Sequence, residues 1–560
     1  MIRSFLKEYG MLFVVGIFMA FTLGTHLNPF DSHTFTGHDE TQASRILEFS
    51  LNLKVGNIPP RIAPNMSFGM GYPIFNYYAP TAYWITSLLH LSGFSVPSAL
   101  ELSYLLALFV GLAGMYLFLR RFFSKAISLA GSVLYVTSPY IAVEIFVRAN
   151  LAEMWFFALL PLSLYLLLTV TRKRMFVTVI FTSLLLTSHN VLSLISIPLL
   201  IIVPLSQKKY LAMGAIITSL LLSSYFFIPA YGELSLVRAT EIAQSTQFKD
   251  HFLCPSQWWY SPWGFGGSAK GCIDDGISFM LGKFLILLSC IGFVLTIRNL
   301  IVKNIVDKTY HLSNIFALLF FTSLFMTTSY SQAFWQFLPF LSVVQFPWRF
   351  LLLSVFAMSI LSAFSLTFLP RKLQTLCAFI LLLTVLFMNQ KFFVGGTMIP
   401  NNEYMNLYGS SQYVREKSAF KVAEYVLSTV DYDLWRSLET KPGRISESIV
   451  TTEKGQEVIP LINKPFEKLF LAKSDPNIPV NIHWGPWWSM KRNNILYEPK
   501  ALDPLGRPLI DVSSAEFETI SISYHQTSRE LLANAISILT GILITVYSFH
   551  HIIWRQKKKT

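Results

Sequence analysis

Residues 98–119 read SALELSYLLALFVGLAGMYLFL, and Arg120 and Arg121 follow directly. An apolar run of about 20 residues is long enough to cross a bilayer as a helix. Similar runs recur along the 560 residues, of which 53% are hydrophobic and 13% are charged. An ordinary soluble domain is about 25% charged. The composition therefore predicts an all-α polytopic membrane protein and excludes a soluble globular enzyme, a disordered chain and a nucleic-acid-binding protein.

The apolar runs predict about twelve membrane spans. They lie near residues 9–29, 98–119, 126–143, 154–171, 175–190, 191–206, 211–230, 279–297, 312–328, 349–369, 373–391 and 531–553. The first run also fits an uncleaved signal anchor.

Basic residues collect on one side of these predicted spans, in alternate connections and at both termini. The connections carry Arg120, Arg121, Lys125, Arg172, Lys173, Arg174, Lys208, Lys209, Arg298, Lys303, Lys308, Arg371 and Lys372. Because cytoplasmic loops hold the excess of Lys and Arg, we expect both termini in the cytoplasm. The net charge of +13 then reflects topology, not an anionic partner. The long loops, and the function, are expected on the extracytoplasmic side.

The long segment 392–530 differs from the rest of the chain because it is richer in charged residues. Alternating stretches at 446–451 and 517–523 predict strands. We therefore expect three parts: a membrane domain at 1–391, an extracytoplasmic mixed or β-rich domain at 392–530, and a final span with a basic tail at 531–560. Cys254 and Cys272 share one extracytoplasmic loop, where a disulfide and two free thiols are both open alternatives.

The first extracytoplasmic loop, residues 30–97, contains the sequence TGHDET at 36–41. Apolar residues at helical spacing follow it, and Gly56 and the prolines after it end the predicted helix. Asp39 and Glu40 thus precede a helix whose dipole and free N–H groups favour ionised carboxylates. An ionised carboxylate there can take a proton from a hydroxyl or bind a hard divalent cation. An ordinary helix-capping acidic pair is the alternative.

Further polar residues lie at the extracytoplasmic ends of other predicted spans: Arg148, Asn150, Glu153, His189, Asn190, Gln345 and Arg349. Ionisable groups at membrane depth are costly, so each is a candidate functional residue. The guanidinium groups of Arg148 and Arg349 suit a phosphate. Snorkelling to lipid headgroups or an ion pair of Arg148 with Glu153 are the alternatives, and a satisfied hydrogen bond is the alternative for His189.

In order along the chain, these motifs resemble one known family. The matching stretches are Asp39 and Glu40, then residues 56–61, 72–80, 148–153, 188–190 and 345–349. They are similar to bacterial and archaeal membrane proteins labelled "6-pyruvoyl-tetrahydropterin synthase-related", which belong to the GT-C superfamily of membrane glycosyltransferases. The resemblance covers roughly residues 1–390.

The resemblance implies transfer of a sugar from a polyprenyl-phosphate donor to a glycan, lipid or protein acceptor on the extracytoplasmic face. It also implies inversion at the anomeric carbon. Asp39 matches the essential acid of the first loop and Glu40 its neighbour, a pair that also resembles protein O-mannosyltransferases. His38, Arg61 and Tyr72, together with the polar residues at the span ends, would bind substrate. Asp39 or Glu40 would hold Mg²⁺ or Mn²⁺ if the reaction uses a divalent cation.

The chemistry is consistent with this resemblance. A lipid phosphate leaves without protonation, so one base suffices where a glycosidase needs two carboxylates. Asp39 would be that base, and Arg349, with Arg148 or His189, would stabilise the charge on the phosphate. Two other classes remain open: a transporter or flippase for lipid-linked sugars, and a non-catalytic envelope assembly protein.

Overall fold

The computed structural model of the chain describes residues 2–245, 248–302, 308–338, 341, 344–441, 445, 447–450, 457–473, 475–512, 514 and 516–557. Most of the first 390 residues are helical. The helices are α1 (Ile2–Thr22), α2 (Gln42–Lys54), α3 (Ile74–Tyr77), α4 (Thr81–Leu91), α5 (Val96–Leu119), α6 (Lys125–Val136), α7 (Pro139–Ala142), α8 (Leu151–Leu168), α9 (Met175–Leu186), α10 (Asn190–Ser206), α11 (Leu211–Leu222), α12 (Ser224–Gly232), α13 (Ala239–Ser245), α14 (Pro255–Trp259), α15 (Lys283–Val302), α16 (Lys308–Met326), α17 (Gln332–Phe337), α18 (Leu351–Leu366), α19 (Arg371–Asn389), α20 (Asn401–Tyr408), α21 (Ser411–Glu416), α22 (Tyr432–Ser437) and α23 (Ser528–Lys557).

Within the described residues, six helices are long and apolar enough to cross a membrane: Val96–Leu119, Leu151–Leu168, Lys283–Val302, Pro347–Leu366, Arg371–Phe392 and Ser528–His550. Two bent helix pairs raise this number to eight if each pair is one span. Shorter apolar helices cover Glu8–Thr22, Asn190–Ser206 and His311–Met326. The predicted number of about twelve spans is therefore not confirmed.

Two predicted spans prove to be broken. The span predicted at 126–143 bends by 45° between α6 and α7, and the one at 211–230 bends by 62° between α11 and α12. Ser138 is extended, with φ −54° and ψ 134°, because Pro139 follows it and a residue before proline avoids helical angles. Both apolar runs are helical as predicted, but the length of a run does not reveal such a break.

The core of the helical region lies around α8 and α18. In the apolar stretches that contain them, 89% and 94% of residues are buried, against 22% in α15 and in α23. A helix that is apolar all round and buried belongs to the interior of a bundle. The exposed apolar faces of α15 and α23 suit contact with lipid tails.

The C-terminal segment contains most of the strands, as predicted. The strands are β1 (His33–Phe35), β2 (Met398–Pro400), β3 (Glu457–Lys464), β4 (Glu467–Lys473), β5 (Asp475–Pro479), β6 (Trp488–Arg492), β7 (Ile495–Leu496), β8 (Ala501–Leu502), β9 (Pro508–Val512) and β10 (Glu518–Tyr524). A five-stranded sheet has the order β3-β4-β10-β6-β7, and a three-stranded sheet the order β5-β9-β8. β10 confirms the strand predicted at 517–523. Of the strand predicted at 446–451, Ser446 and Thr451 lie outside the described residues, and Val450 bridges to Val480.

The first loop and the C-terminal segment share a core. β1 pairs antiparallel with β2, and the hydroxyl of Tyr72 donates to the carbonyl of Val422. The hydroxyl of Ser67 lies 2.8 Å from Nε2 of His483. The boundary predicted at residue 391 therefore separates two parts that are packed against each other.

Candidate functional site

Asp39 lies just before α2 with its carboxylate held in one orientation. Its Oδ1 accepts from the hydroxyl of Thr41 at 2.9 Å, and its Oδ2 accepts from Nε2 of Gln42 at 2.8 Å. Nη2 of Arg45 lies 3.5 Å from Oδ1. The position at the start of a helix is as predicted. The alternative of a helix-capping Asp39 is not seen, because its hydrogen-bond partners are side chains and the cap residue is Thr41, which makes no side-chain cap bond.

The backbone around Asp39 lies against residues 147–149. The amides of His38 and Asp39 donate to the carbonyls of Val147 and Arg148 at 2.8 and 2.9 Å. A Cβ atom at Gly37 would lie 2.5 Å from Cβ of Ala149, so this approach requires glycine. The first loop is thereby fixed beside Arg148.

Glu153 is the centre of a charged cluster. Its Oε1 accepts from Nη2 of Arg148 at 2.9 Å, Nδ2 of Asn150 at 3.1 Å and Nε of Arg349 at 3.3 Å. Nε2 of His189 lies 3.7 Å away. The structure thus brings together predicted residues from three separate connections, and the ion pair of Arg148 with Glu153 is present.

The cluster is asymmetric in exposure. The Glu153 side chain is 0% exposed, while those of Arg148, Arg349 and His189 are 12%, 13% and 9% exposed. Arg148 also pairs with the buried Glu144. The carboxylates are therefore sealed inside, and the edges of the cations reach accessible space.

Arg349 is further fixed by its own connection. Its Nη1 donates to the carbonyl of Val344 at 2.7 Å and to Oε1 of Gln345 at 3.3 Å. Among the described residues, no hydrogen bond from its Nη2 is found. A guanidinium held this way has a donor left for an anion.

Other predicted binding residues do not join the cluster. The buried Arg61 donates to Asn76 at 3.2 Å and to Asn534 at 2.9 Å, and it lies 3.9 Å from Glu530. Tyr72 is also buried, with its hydroxyl on the C-terminal segment. Both side chains are buried and join parts of the fold, and their assignment as substrate ligands stays a prediction.

His38 and Asn190 have other surroundings. Nδ2 of Asn190 donates to the carbonyl of Tyr77 at 2.6 Å. Nε2 of His38 is 3.7 Å from the position that a Cβ at Gly267 would occupy. His38 therefore faces the loop that contains Cys254 and Cys272, which are joined by a disulfide with a Cα–Cα distance of 5.7 Å.

Two residues of the site were missed by sequence reasoning. Arg45 lies on the first turn of α2, which begins after Asp39. Its Cζ is 4.6 Å from the ring centre of Tyr78. The second residue, Glu424, comes from the C-terminal segment. Burial raises the pKa of Glu424. The charges of Arg45 and Arg349 oppose that rise, and the charge of Asp39 adds to it. Helical spacing points to Arg45, whereas no local pattern points to Glu424.

Glu40 turns toward the C-terminal segment. Its Oε2 lies 3.3 Å from both the hydroxyl of Tyr413 and Nζ of Lys421. Asp39 and Glu40 line a small cavity that Tyr404 and Tyr408 also line.

In the part of the chain that the structure describes, no three His, Cys, Asp or Glu side chains are grouped as metal ligands. A divalent cation at Asp39 would lie beside the positive charge of Arg45.

The apolar helices and the charged cluster at their ends define a polytopic membrane protein. Residues 75–393, more than half of the chain, match the family described as "6-pyruvoyl-tetrahydropterin synthase related domain; membrane protein". The chain belongs to this family. No curated protein matches the sequence.

Several solved structures are similar at low identity. An arabinofuranosyltransferase, AftD, from Mycobacteria aligns with 70% of this chain and 29% of its own, at 12% identity and a TM-score of 0.44. The Archaeoglobus fulgidus oligosaccharyltransferase aligns over 70% and 56%, at 13% identity and a TM-score of 0.42. ArnT from Cupriavidus metallidurans, bound to undecaprenyl phosphate, aligns over 64% and 79%, at 12% identity and a TM-score of 0.29. The chain spans less than two thirds of the first two proteins.

Proposed function

We propose that the protein is a membrane glycosyltransferase that transfers a sugar from a polyprenyl-phosphate donor to a hydroxyl of a glycan, lipid or protein acceptor. The observation that carries this proposal is the hydrogen bond from the backbone amide of Asp39 to the carbonyl of Arg148, whose side chain shares Glu153 with Arg349. In this proposal Asp39 is the base, and the guanidinium groups of Arg148 and Arg349 bind the phosphate. Transfer of a sugar from a lipid phosphate needs this pairing of a base with an anion-binding group.

In the proposed reaction, the acceptor hydroxyl loses its proton to the carboxylate of Asp39. Its oxygen forms a bond to the anomeric carbon, and the bond from that carbon to the phosphate oxygen breaks. The polyprenyl phosphate leaves with the electron pair and needs no acid. The accessible edge of Arg349, with Arg148 or His189, stabilises the charge on the phosphate. No step requires a metal.

The apolar helices would hold the polyprenyl tail, and the basic connections support an extracytoplasmic site. Glu40 is the neighbour of the base, and its contacts with Tyr413 and Lys421 suit a role in fixing the C-terminal segment. We therefore expect Glu40→Gln to reduce turnover much less than Asp39→Asn does.

The experiment follows polyprenyl-phosphate release from a panel of polyprenyl-phosphate sugars, with purified wild type and Asp39→Asn in lipid, with and without divalent cations. Asp31→Asn is the matched control, since Asp31 is an exposed acid of the same loop. We expect release by wild type and Asp31→Asn and none by a folded Asp39→Asn. The active donor would identify the sugar.

The proposal would be wrong if the wild type released polyprenyl phosphate from none of the donors. Release from no donor, with Asp39→Asn binding lipids as wild type does, would favour a transporter or an assembly protein. A transporter would instead lose activity when charges within its spans are changed. An assembly protein would depend on the surface of residues 392–530.

A further inference from the structure

A second polar cavity lies between the first loop and the C-terminal segment, and it is lined by residues other than those of the Asp39 site. It has a volume of about 110 Å³, and its lining includes Asn65, Gly69, Arg415, Glu447, Asn463 and Lys468. A water molecule takes about 30 Å³ in the liquid, so the cavity can hold a small polar group.

Lys468 is the most unusual residue of this cavity. Its side chain is 7% exposed, and its ammonium donates to Oδ1 of Asn463 at 2.7 Å and to the carbonyl of Lys464 at 3.3 Å. Within the described residues, no carboxylate contacts this ammonium. Burial, followed by the charge of Arg415, lowers the pKa of Lys468 to about 8. Among the described residues, two neutral oxygens and no anion hold this buried ammonium, and an anion bound in the cavity would compensate its charge.

Arg415 adds a second cation. Gly69 has φ +77°, and a Cβ atom there would lie 2.6 Å from Nη1 of Arg415, so glycine lets the guanidinium lie against the loop. Its ion partner is Glu447, at 3.5 Å, whose side chain is 85% exposed. An exposed pair of this kind is weak and can exchange for a better anion.

The opposite wall is fixed by a different contact. Both oxygens of Glu48 accept hydrogen bonds from Asn65, one from its backbone amide and one from Nδ2, each at 2.8 Å. Asn65 therefore keeps its position in the wall. The cavity combines three lysine and arginine side chains with one exposed acid and with neutral amide groups.

We propose that this cavity is a binding subsite for the charged group of an anionic saccharide, in which Lys468 and Arg415 bind the carboxylate or phosphate. Lysine and arginine supply charge-assisted hydrogen bonds to such groups. The subsite rests on the proposed function in one respect only: it would hold an acidic acceptor glycan while the Asp39 site performs the transfer.

The test measures binding, so that it does not depend on transfer. The purified full-length protein in detergent is titrated with glucuronate, glucose 6-phosphate and glucose at constant ionic strength, and ligand-dependent thermal shift gives the affinity. We expect one or both anionic sugars to bind and glucose to bind far more weakly. Lys468→Met and Arg415→Gln should each weaken anion binding about tenfold or more.

Two control variants distinguish this subsite from nonspecific binding of anions to surface cations and from the Asp39 site. Lys491→Gln removes an exposed cation of the same sheet and should bind as wild type, and so should Asp39→Asn. Because Lys468→Met removes a buried charge, it should keep or raise the thermal stability of the apo protein. Equal binding of glucose and the anions, or unchanged anion binding by a folded Lys468→Met, would overturn the proposal. If Asp39→Asn loses transfer but still binds the anionic sugars, the result supports a subsite that is separate from the Asp39 site.

Discussion

The backbone amide of Asp39 donates a hydrogen bond of 2.9 Å to the carbonyl of Arg148. This bond joins the backbone of the first loop to the connection that begins the charged cluster, while side chains hold the Asp39 carboxylate and the Arg148 guanidinium. The geometry of the proposed site therefore depends on how closely the two segments approach.

Gly37→Ala should disturb this approach. The added methyl group would meet Cβ of Ala149 at 2.5 Å and push the loop away from residues 147–149. We expect a loss of stability of about 1–3 kcal/mol from overpacking, with a larger fractional loss of donor turnover. Thermal unfolding and polyprenyl-phosphate release measure the two effects. Gly214→Ala is the control, because nothing lies within 4 Å of its position in α11. Full turnover by Gly37→Ala would show that the contact is dispensable.

Glu153→Gln should destabilise the protein strongly. The change leaves Arg148 and Arg349 without the buried carboxylate that both contact, at an expected cost of about 3–5 kcal/mol. A drop in the melting temperature and in the monodisperse yield would report it. Glu241→Gln breaks an exposed pair with Arg238 and should cost about 0–1 kcal/mol. Equal, small effects of the two variants would contradict the central role of Glu153.

Protonation of His483 should loosen the contact between the first loop and the C-terminal segment. Nδ1 of His483 faces the carbonyl of Leu505, which can only accept, so Nε2 accepts from the hydroxyl of Ser67. Burial lowers the pKa of His483 from 6.5 to about 4, so the folded state favours the neutral ring. This contribution to stability is complete above pH 6.5 and is lost as the pH falls toward 4.

The measurement is the melting temperature over that pH range. His483→Gln should remove part of the acid-dependent decrease, whereas His525→Gln, at an exposed histidine of the same segment, should leave it unchanged. An identical pH profile for wild type and His483→Gln would contradict this role of His483.

Topology is testable by cysteine labelling. In a Cys290→Ser, Cys377→Ser background, which keeps the Cys254–Cys272 disulfide, we expect Lys491→Cys to react with an impermeant maleimide on intact cells. Arg172→Cys should react only after permeabilisation, because its basic connection is predicted to be cytoplasmic. Labelling of Arg172→Cys on intact cells would reverse the predicted orientation.

Several features of the molecule were predictable from local sequence. The apolar runs predicted helices, and the alternation at 517–523 predicted β10. Gly56 predicted the end of α2, which ends at Lys54. These features follow from the spacing of side chains along one element, and the sequence displays that spacing directly. The breaks at Ser138 and Ser223 did not appear as gaps in the apolar pattern, because both bent pairs remain apolar throughout.

The sequence by itself determined the class: apolar runs define a polytopic membrane protein, and ordered motifs define its family. Only the tertiary structure decided which polar residues meet. Arg148, His189 and Arg349 converge on Glu153, whereas Arg61 is buried against α23 and Glu424 enters the surroundings of Asp39 from the other half of the chain. The reason is physical: local patterns fix which face of an element is apolar, but contacts between distant elements depend on how those faces pack together.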